Sequence, residues 1–387
     1  MNIVIDVRPL MGGKWSGVET YIYYLIKYIS KLDSENNYIL FANAKKDQSR
    51  HIPDFGRKNI TIIQTNIPNK ILNIGLLYFN YPKLDRLLEK KLKLKIDAFI
   101  FPDLRPYALS KKTASIQTVH DLCFEHFPKF FSLKSRLWFK LLQPKKLINK
   151  ANHVIAVSNS TKQDLINTYK ISASKIEVIY EGIDDQFTAG INDLTWIDIR
   201  SKYHLPENYL LFLSTLEPRK NLKNLLLAFE EYKLSNNSTK LVLVGKEHPD
   251  IFSKLQIPPS KDIIQTGFIS EAEKPYFYKH AKALVYPSYF EGFGLPLLEA
   301  MKCDTPIITS NNSSMPEIAG KCAIYIDPND TKTILEALRK IENPEEQKKL
   351  AANCHLQIKK FSWNECAKST SQIIKAAVLK KTAAIKS

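Results

Sequence analysis

Two successive series of short Val- and Ile-rich runs, apolar on both faces, constrain this 387-residue chain more than any other feature. The first series is Asn2–Arg8, Asp97–Pro102, Ser115–His120, His153–Ser158 and Ile176–Tyr180. The second is Tyr209–Ser214, Lys240–Gly245, Ile263–Gly267, Ala283–Pro287, Pro306–Ser310 and Ala323–Asp327. Stretches of helical periodicity lie between the runs. A run apolar on both faces suits a strand buried between layers, as in a parallel sheet covered by helices. Strand alternating with helix predicts a doubly wound α/β fold, and two series predict two such domains.

The stretch 184–208 is polar, irregular and free of a strand run, so the boundary is expected there. Residues 1–185 then form a first domain and 186–362 a second. From Trp363 on, Cys366, Ile373, Ile374, Ala377 and Val378 recur at roughly helical spacing, which predicts a helix within 363–387 that ends in a basic tip. A hydrophobic content of 44% is enough for a core in each domain. The five cysteines show no CxxC spacing, which indicates reduced thiols rather than a disulfide framework or a zinc site. The start MNIVIDVRPL does not read as a signal peptide, and no run of about 18 apolar residues occurs. The expectation is a cytoplasmic protein that can lie on a membrane but not cross it. The net charge is +17, and residues 1–185 hold +12 of it. Such asymmetry suggests an anionic partner, either nucleic acid or an acidic membrane surface.

Ligands of open α/β sheets sit beyond the carboxyl ends of the strands. Polar or Gly-rich residues collect at those ends here. They include Gly12–Gly17, His120-Asp121, Ser158, Glu181-Gly182, Thr215–Asn221, Gly245-Lys246, Gly267 and Ser288–Gly294. Together they describe a cleft between two domains. The sharpest segment is Glu291-Gly-Phe-Gly-Leu-Pro-Leu-Leu-Glu299, directly after an apolar run. Gly292 and Gly294 allow a tight loop whose amides approach a ligand closely. Pro296 suits the first position of a helix. A helix N-terminus presents amides to anionic groups such as phosphates. The carboxylates of Glu291 and Glu299 would accept hydrogen bonds from sugar hydroxyls. The plainer alternative is a β-α turn whose Glu complements the helix dipole.

With this segment the chain resembles glycosyltransferase family 4, whose members are retaining enzymes of GT-B architecture. That architecture is two facing Rossmann-like parallel-sheet domains with an interdomain cleft. Glu291 and Glu299 match the family's E-x7-E signature, and the resemblance covers nearly the whole chain. It implies that Glu291 contacts hydroxyls of the donor sugar and that Glu299 holds the ribose of the nucleotide. It implies that Gly292, Phe293, Gly294 and Leu295 line sugar and phosphate, with Gly245 near the nucleotide. The first domain would face the acceptor, and the C-terminal helix would pack back on it.

Three further segments add to this reading. In Leu216-Glu-Pro-Arg-Lys-Asn221, Arg219 and Lys220 are cations where a helix starts, a position the dipole disfavours unless an anion is near. Arg can fork two phosphate oxygens and Lys supplies a point charge, as a departing diphosphate needs. Lys220 aligns with the family's phosphate-binding Lys. The family's Arg position holds Thr215, and Arg219 is expected to substitute. Similar LEPRKN segments occur in bacterial mannosyl- and rhamnosyl-transferase-like sequences. In Thr118-Val-His-Asp-Leu122, a lone His is more often structural, but the resemblance places His120 beside the donor sugar at the reaction centre. The loop Gly12-Gly-Lys-Trp-Ser-Gly17 is not a dinucleotide fingerprint. The resemblance makes Gly13 and Gly17 contacts of the donor phosphate, with Glu19 and Tyr21 nearby.

Residues 128–150 hold seven Lys or Arg, no acid, and Phe130, Phe131, Trp138 and Phe139. Basic groups beside aromatics suit an anionic membrane surface, although core aromatics under a solvated lysine face would give the same pattern. No metal and no cofactor is expected, since the nucleotide-sugar (GDP-, UDP- or dTDP-linked) is a substrate. The expected partners are that donor, a glycan or lipid-linked glycan acceptor and the membrane surface, not nucleic acid, for which neither an RRM-type aromatic motif nor a helix-turn-helix is present. The function expected is transfer of a hexose, mannose or rhamnose, in lipopolysaccharide or other surface polysaccharide synthesis. A retaining hydrolase with Glu291 and Glu299 as its carboxyl pair is the enzymatic alternative. A nucleotide- or nucleic-acid-binding protein is the non-enzymatic one.

Overall fold

The computed structural model describes residues 1–13, 15–44, 51–236, 238–246, 257 and 259–386. The Ser387 end of the basic tip expected of the C-terminal helix lies outside them, and the side chains of 384–386 are likewise not described. Two parallel sheets form. The first is built from β1 (Asn2–Asp6), β2 (Asn37–Asn43), β3 (Ile60–Thr65), β4 (Ala98–Phe101), β5 (Ala114–Val119), β6 (His153–Ala156) and β7 (Ile176–Val178). Its order is β3-β2-β1-β4-β5-β6-β7. The second is built from β8 (Tyr209–Leu213), β9 (Lys240–Val244), β10 (Ile263–Gly267), β11 (Ala283–Tyr286), β12 (Ile307–Ser310) and β13 (Ala323–Ile326). Its order is β10-β9-β8-β11-β12-β13.

Every run of the sequence reading became a strand, usually one or two residues shorter. Two strands, β2 and β3, were not anticipated. β3 lies at the sheet edge and buries only part of its length, so it lacks the apolar signature of its neighbours.

The chain divides into two compact units. Unit 1 comprises 1–122, 134–181 and 363–387; unit 2 comprises 123–133 and 182–362. The segment Cys123–Leu133 thus packs with unit 2 although it lies between strands of unit 1. In unit 1, alternate residues of β1 point to opposite layers. Ile3 and Ile5 meet Ile22, Leu25 and Ile26 of the helix Gly17–Leu32, and Val4 meets Phe41, Phe99 and Phe101. That two-sided burial is why the strands are apolar throughout. The helix Trp363–Lys386 joins the same core, with Trp363 buried and stacked on Tyr24 at 5.2 Å. In unit 2, Leu210, Phe212, Leu241 and Leu243 pack against Leu225 and Phe229 of the helix Leu222–Lys233.

The strand ends of unit 2 approach one another closely. Ser214 donates its N–H to Val244 O (3.0 Å), and Gly245 donates to Gly267 O (2.9 Å). Gly245 has φ +140°, and a Cβ there would lie 1.8 Å from the carbonyl oxygen of Ser214. Only glycine fits this position. Gly245→Ala is therefore expected to lower the melting temperature sharply with no ligand present. A melting temperature equal to the parent's would show that these ends can separate at little cost.

Candidate active site

Unit 2 gathers charge at the carboxyl ends of β8 and β11. The chain leaves β8 through a short turn, Pro218–Lys220, and Asn221 then takes a left-handed conformation (φ 59°) before the helix Leu222–Lys233. Asn221 Nδ2 donates to Pro287 O (3.1 Å) and Pro328 O (2.7 Å). Tyr289 N–H donates to Arg219 O (2.9 Å). These bonds lock the β8 loop to the β11 loop and bring Glu291 onto both cations of the LEPRKN segment. Arg219 Nη1 donates to Glu291 Oε2 (2.7 Å) and Lys220 Nζ to Glu291 Oε1 (2.6 Å). Tyr286 OH adds a third donor at 2.9 Å. Arg219 also donates Nε and Nη2 to Glu217 Oε1, at 3.0 and 2.7 Å, and Nη1 to Phe290 O at 3.0 Å. The Glu291 backbone is fixed as well: its N–H donates to Ser313 Oγ, and Ser314 Oγ donates to the carbonyls of Glu291 and Phe293.

Glu291 and Lys220 are both buried. Burial pushes the Glu291 carboxyl up, but the adjacent Arg219 and Lys220 charges outweigh it and hold the group at about 2. Burial and the like charge of Arg219 lower Lys220 despite its carboxylate partners. Burial and the Glu291 charge raise Tyr286 well above its ordinary value. Glu291 is thus a permanent anion set in a cage of donors.

The Gly292–Gly294 loop leads into the helix Leu295–Lys302, with Gly294 at φ +102° and Pro in its first turn. Glu299, one turn into that helix, is buried and accepts from Tyr278 OH (2.6 Å) and Lys274 Nζ (3.2 Å). Burial opposes the Lys274 charge, but Glu299 and Glu271 raise it above its ordinary value. The two carboxylates of the E-x7-E segment therefore have separate cation partners. Phe293 is buried against Phe361. Thr215, at the family's Arg position, is exposed. From the first half of the sequence, His126 and Phe127 lie against Phe290, and Phe130 stacks on Tyr289 at 5.5 Å.

In unit 1, His120 ends β5 and is mostly buried. Its Nε2 faces Pro102 O at 2.9 Å and its Nδ1 lies 3.4 Å from Glu181 Oε1. Tyr21 sits edge-on to the imidazole at 4.9 Å, and its hydroxyl is 3.2 Å from Thr118 Oγ1. Burial lowers His120, but Glu181, Asp103 and the Pro102 carbonyl together raise it above its ordinary value. Gly13 closes the turn after β1 against the ring of His51, and Gly17 opens the helix Gly17–Leu32. Glu19 is engaged with Ser16 in a capping box.

The sequence reading named Glu217 and Glu181 only as members of strand-end segments, and it passed over Tyr286, Lys274 and Tyr278. Glu217 stands two residues before Arg219, and Lys274 and Tyr278 are one helical turn apart, but nothing in a linear pattern names their targets. Among the described residues, no three His, Cys, Asp or Glu side chains gather as a metal ion would require.

Residues 15–187 match the family described as Glycosyltransferase Family 4, and residues 197–360 match Glycosyl transferases group 1. The chain is 28% identical over 263 residues to the O-antigen chain mannosyltransferase B of Escherichia coli, spanning 66% of this chain and 68% of that protein. It is 31% identical over 229 residues to the O-antigen chain mannosyltransferase RfbU of Salmonella typhimurium, spanning 58% of this chain and 60% of that protein. Among solved structures, Anabaena HepE in complex with UDP and glucose aligns with a TM-score of 0.72 at 17% identity, covering 97% of this chain and 99% of that one. At that identity the likeness is one of fold, GT-B.

The Glu291 cage makes stability depend on acid. Its carboxyl has an ordinary value of 4.5 and stands at about 2 in the folded protein. Folding therefore favours the ionised form. The contribution is complete above 4.5 and is lost as pH falls from there toward about 2. Melting temperatures across that window should fall steeply in the parent and less steeply in Glu291→Gln. At neutral pH the variant should be less stable by about 3 kcal/mol, because buried Lys220 loses its carboxylate and Arg219 keeps only Glu217. Parallel curves for the two proteins would refute the cage.

Proposed function

This chain is a glycosyltransferase of family 4, and we propose that it is a retaining enzyme that moves mannose from a nucleotide-diphosphate sugar to a glycan or lipid-linked glycan during surface polysaccharide assembly. The observation that carries the reading is the caged Glu291 carboxylate beside the glycine loop at a strand end. A fixed anion accepts hydrogen bonds from sugar hydroxyls at no reorganisation cost. The mannosyltransferase relatives favour mannose over rhamnose.

In the proposed reaction, the acceptor oxygen bonds to the anomeric carbon on the face from which the phosphate leaves. The sugar–phosphate bond breaks, and the departing phosphate oxygen takes the acceptor's proton. Lys220, Arg219 and the amides of Gly292 to Leu295 stabilise the diphosphate, in place of a metal ion. Because Lys220 and Arg219 are already on Glu291, they serve two tasks, orienting that carboxylate and neutralising the leaving group. Glu299 holds the ribose, Gly245 lines the nucleotide, and Gly13 and Gly17 contact the phosphate. The hydrolase alternative fits less well. With Glu291 as its acid it needs that carboxyl protonated at working pH, and the adjacent cations hold Glu291 at about 2.

A screen of GDP-mannose, UDP-sugars and dTDP-sugars by thermal shift tests the donor. The cognate donor should stabilise the fold by about 2.7 kcal/mol at a hundredfold excess over its Kd. Glu291→Ala should reduce transfer by about 100-fold, with activity of the parent unaffected by chelators. No shift from any nucleotide-sugar, or full transfer by the variant, would overturn the reading.

An anionic membrane surface is the proposed further partner. No described helix is long and apolar enough to cross a membrane. Trp138 and Phe139 pack on the core of unit 1, and Phe130 stacks on Tyr289, so these aromatics are not a membrane face. Leu133, Leu137 and Leu141 are exposed one turn apart on the helix Leu133–Leu142, beside exposed Lys134, Arg136 and Lys140. Ile71, Ile74, Tyr78 and Phe79 are exposed at the helix Asn69–Tyr78. Apolar residues amid cations suit an acidic bilayer. Co-sedimentation with vesicles rich in acidic lipid is expected, and Leu137→Glu should reduce it; absence of binding by the parent would remove this partner.

A further inference from the structure

Glu181 stands just beyond the carboxyl end of β7 in unit 1. Glu181 is 3% exposed, which is costly for an anion without a cation nearby. Its Oε1 faces His120 Nδ1 at 3.4 Å, and its Oε2 is buried with no hydrogen-bond partner. The other ring nitrogen of His120 meets the carbonyl of Pro102 at 2.9 Å. A carbonyl oxygen only accepts, so Nε2 must carry hydrogen. A carboxylate also accepts, so the facing Nδ1 is best satisfied with hydrogen as well. Neutral imidazole has one hydrogen and cannot satisfy both.

We propose that Glu181 is a positioning residue that fixes His120 as a doubly protonated imidazolium, so that His120 serves the transfer reaction as a fixed cation and never as a base. This rests on the transferase reading above. Geometry around the ring supports it from each neighbouring element. Asp103 beyond β4 adds negative charge. Tyr21 presents its ring edge, and burial holds its phenol neutral. Thr161 Oγ1 donates to the backbone oxygen of His120 and holds the turn in place. Cys366 of the C-terminal helix faces Tyr21 and Glu181, and burial raises its thiol out of the titrating range. Asp121 is next in sequence. No cation among these groups competes for the Glu181 carboxylate. The sign is that of a raised histidine: the pair's contribution is complete below the ordinary value of 6.5 and is lost as pH rises through the folded value.

The test uses the full chain in two independent readouts. In the first, ring-nitrogen NMR follows His120, identified by its loss in His120→Gln. The parent should titrate above the ordinary histidine value with both nitrogens protonated below it. Glu181→Gln, which keeps shape and removes charge, should titrate lower, as should Glu181→Asn, which also removes the charge. In the second, the pH profile of transfer should lose activity on the alkaline side. In Glu181→Gln that limb should move down with the NMR midpoint, through kcat more than the KM for donor. An unchanged midpoint in a folded variant overturns the pair. A shifted midpoint with an unmoved kcat profile overturns its role in transfer. A parent inactive on every nucleotide-sugar would defeat the transferase reading while the NMR titration still decided the pair.

Discussion

A carboxylate taken out of water is stable only where charge and donors meet it, and Glu291 is the place where this chain meets that demand most completely. Three segments far apart in sequence supply the partners: Arg219 and Lys220 after β8, Tyr286 at the end of β11, and the serines after β12 that fix its backbone. They converge because β8, β11 and β12 are adjacent and parallel, so their carboxyl ends share one edge. A parallel sheet is needed for that convergence, and burial on both faces is needed for the sheet. The cluster carries two cations and, with Glu217, two anions, and the closeness of its pairs is what keeps Glu291 ionised.

The strand ends of unit 1 follow similar logic with the sign reversed. There a cationic ring is held by a buried carboxylate and a backbone carbonyl. In both units a charged side chain at a strand end is pre-set by partners before any ligand arrives. That is the condition under which electrostatic stabilisation of a reaction is strong, since little reorganisation remains. Arg219, which Glu217 and Glu291 orient, is the cation proposed to stand in for the one the family carries at the position of Thr215.

Much of this was legible in the sequence because its causes are local or periodic. Apolar runs on a parallel sheet must be apolar on both faces, so eleven of the strands could be read directly, while β3, half-buried at an edge, left too faint a pattern. Gly292, Gly294 and Pro296 announced a loop entering a helix because each has a conformational reason to be there. Glu291, Glu299, Arg219, Lys220 and His120 were identifiable as chemistry-bearing residues at strand ends. Their partners were not. Nothing along the chain says that Lys220 meets Glu291 rather than solvent, or that Phe130, between strands of unit 1 in sequence, belongs to unit 2 and stacks on Tyr289.

The sequence by itself thus determined the α/β class, the two series of strands and the residue types at the strand ends, because periodic burial and backbone restriction act between near neighbours. Tertiary structure alone decided which carboxylate each cation neutralises, and with it which groups are held charged. Those pairings depend on the order of strands in a sheet and on a few ångströms of approach, which no linear spacing encodes.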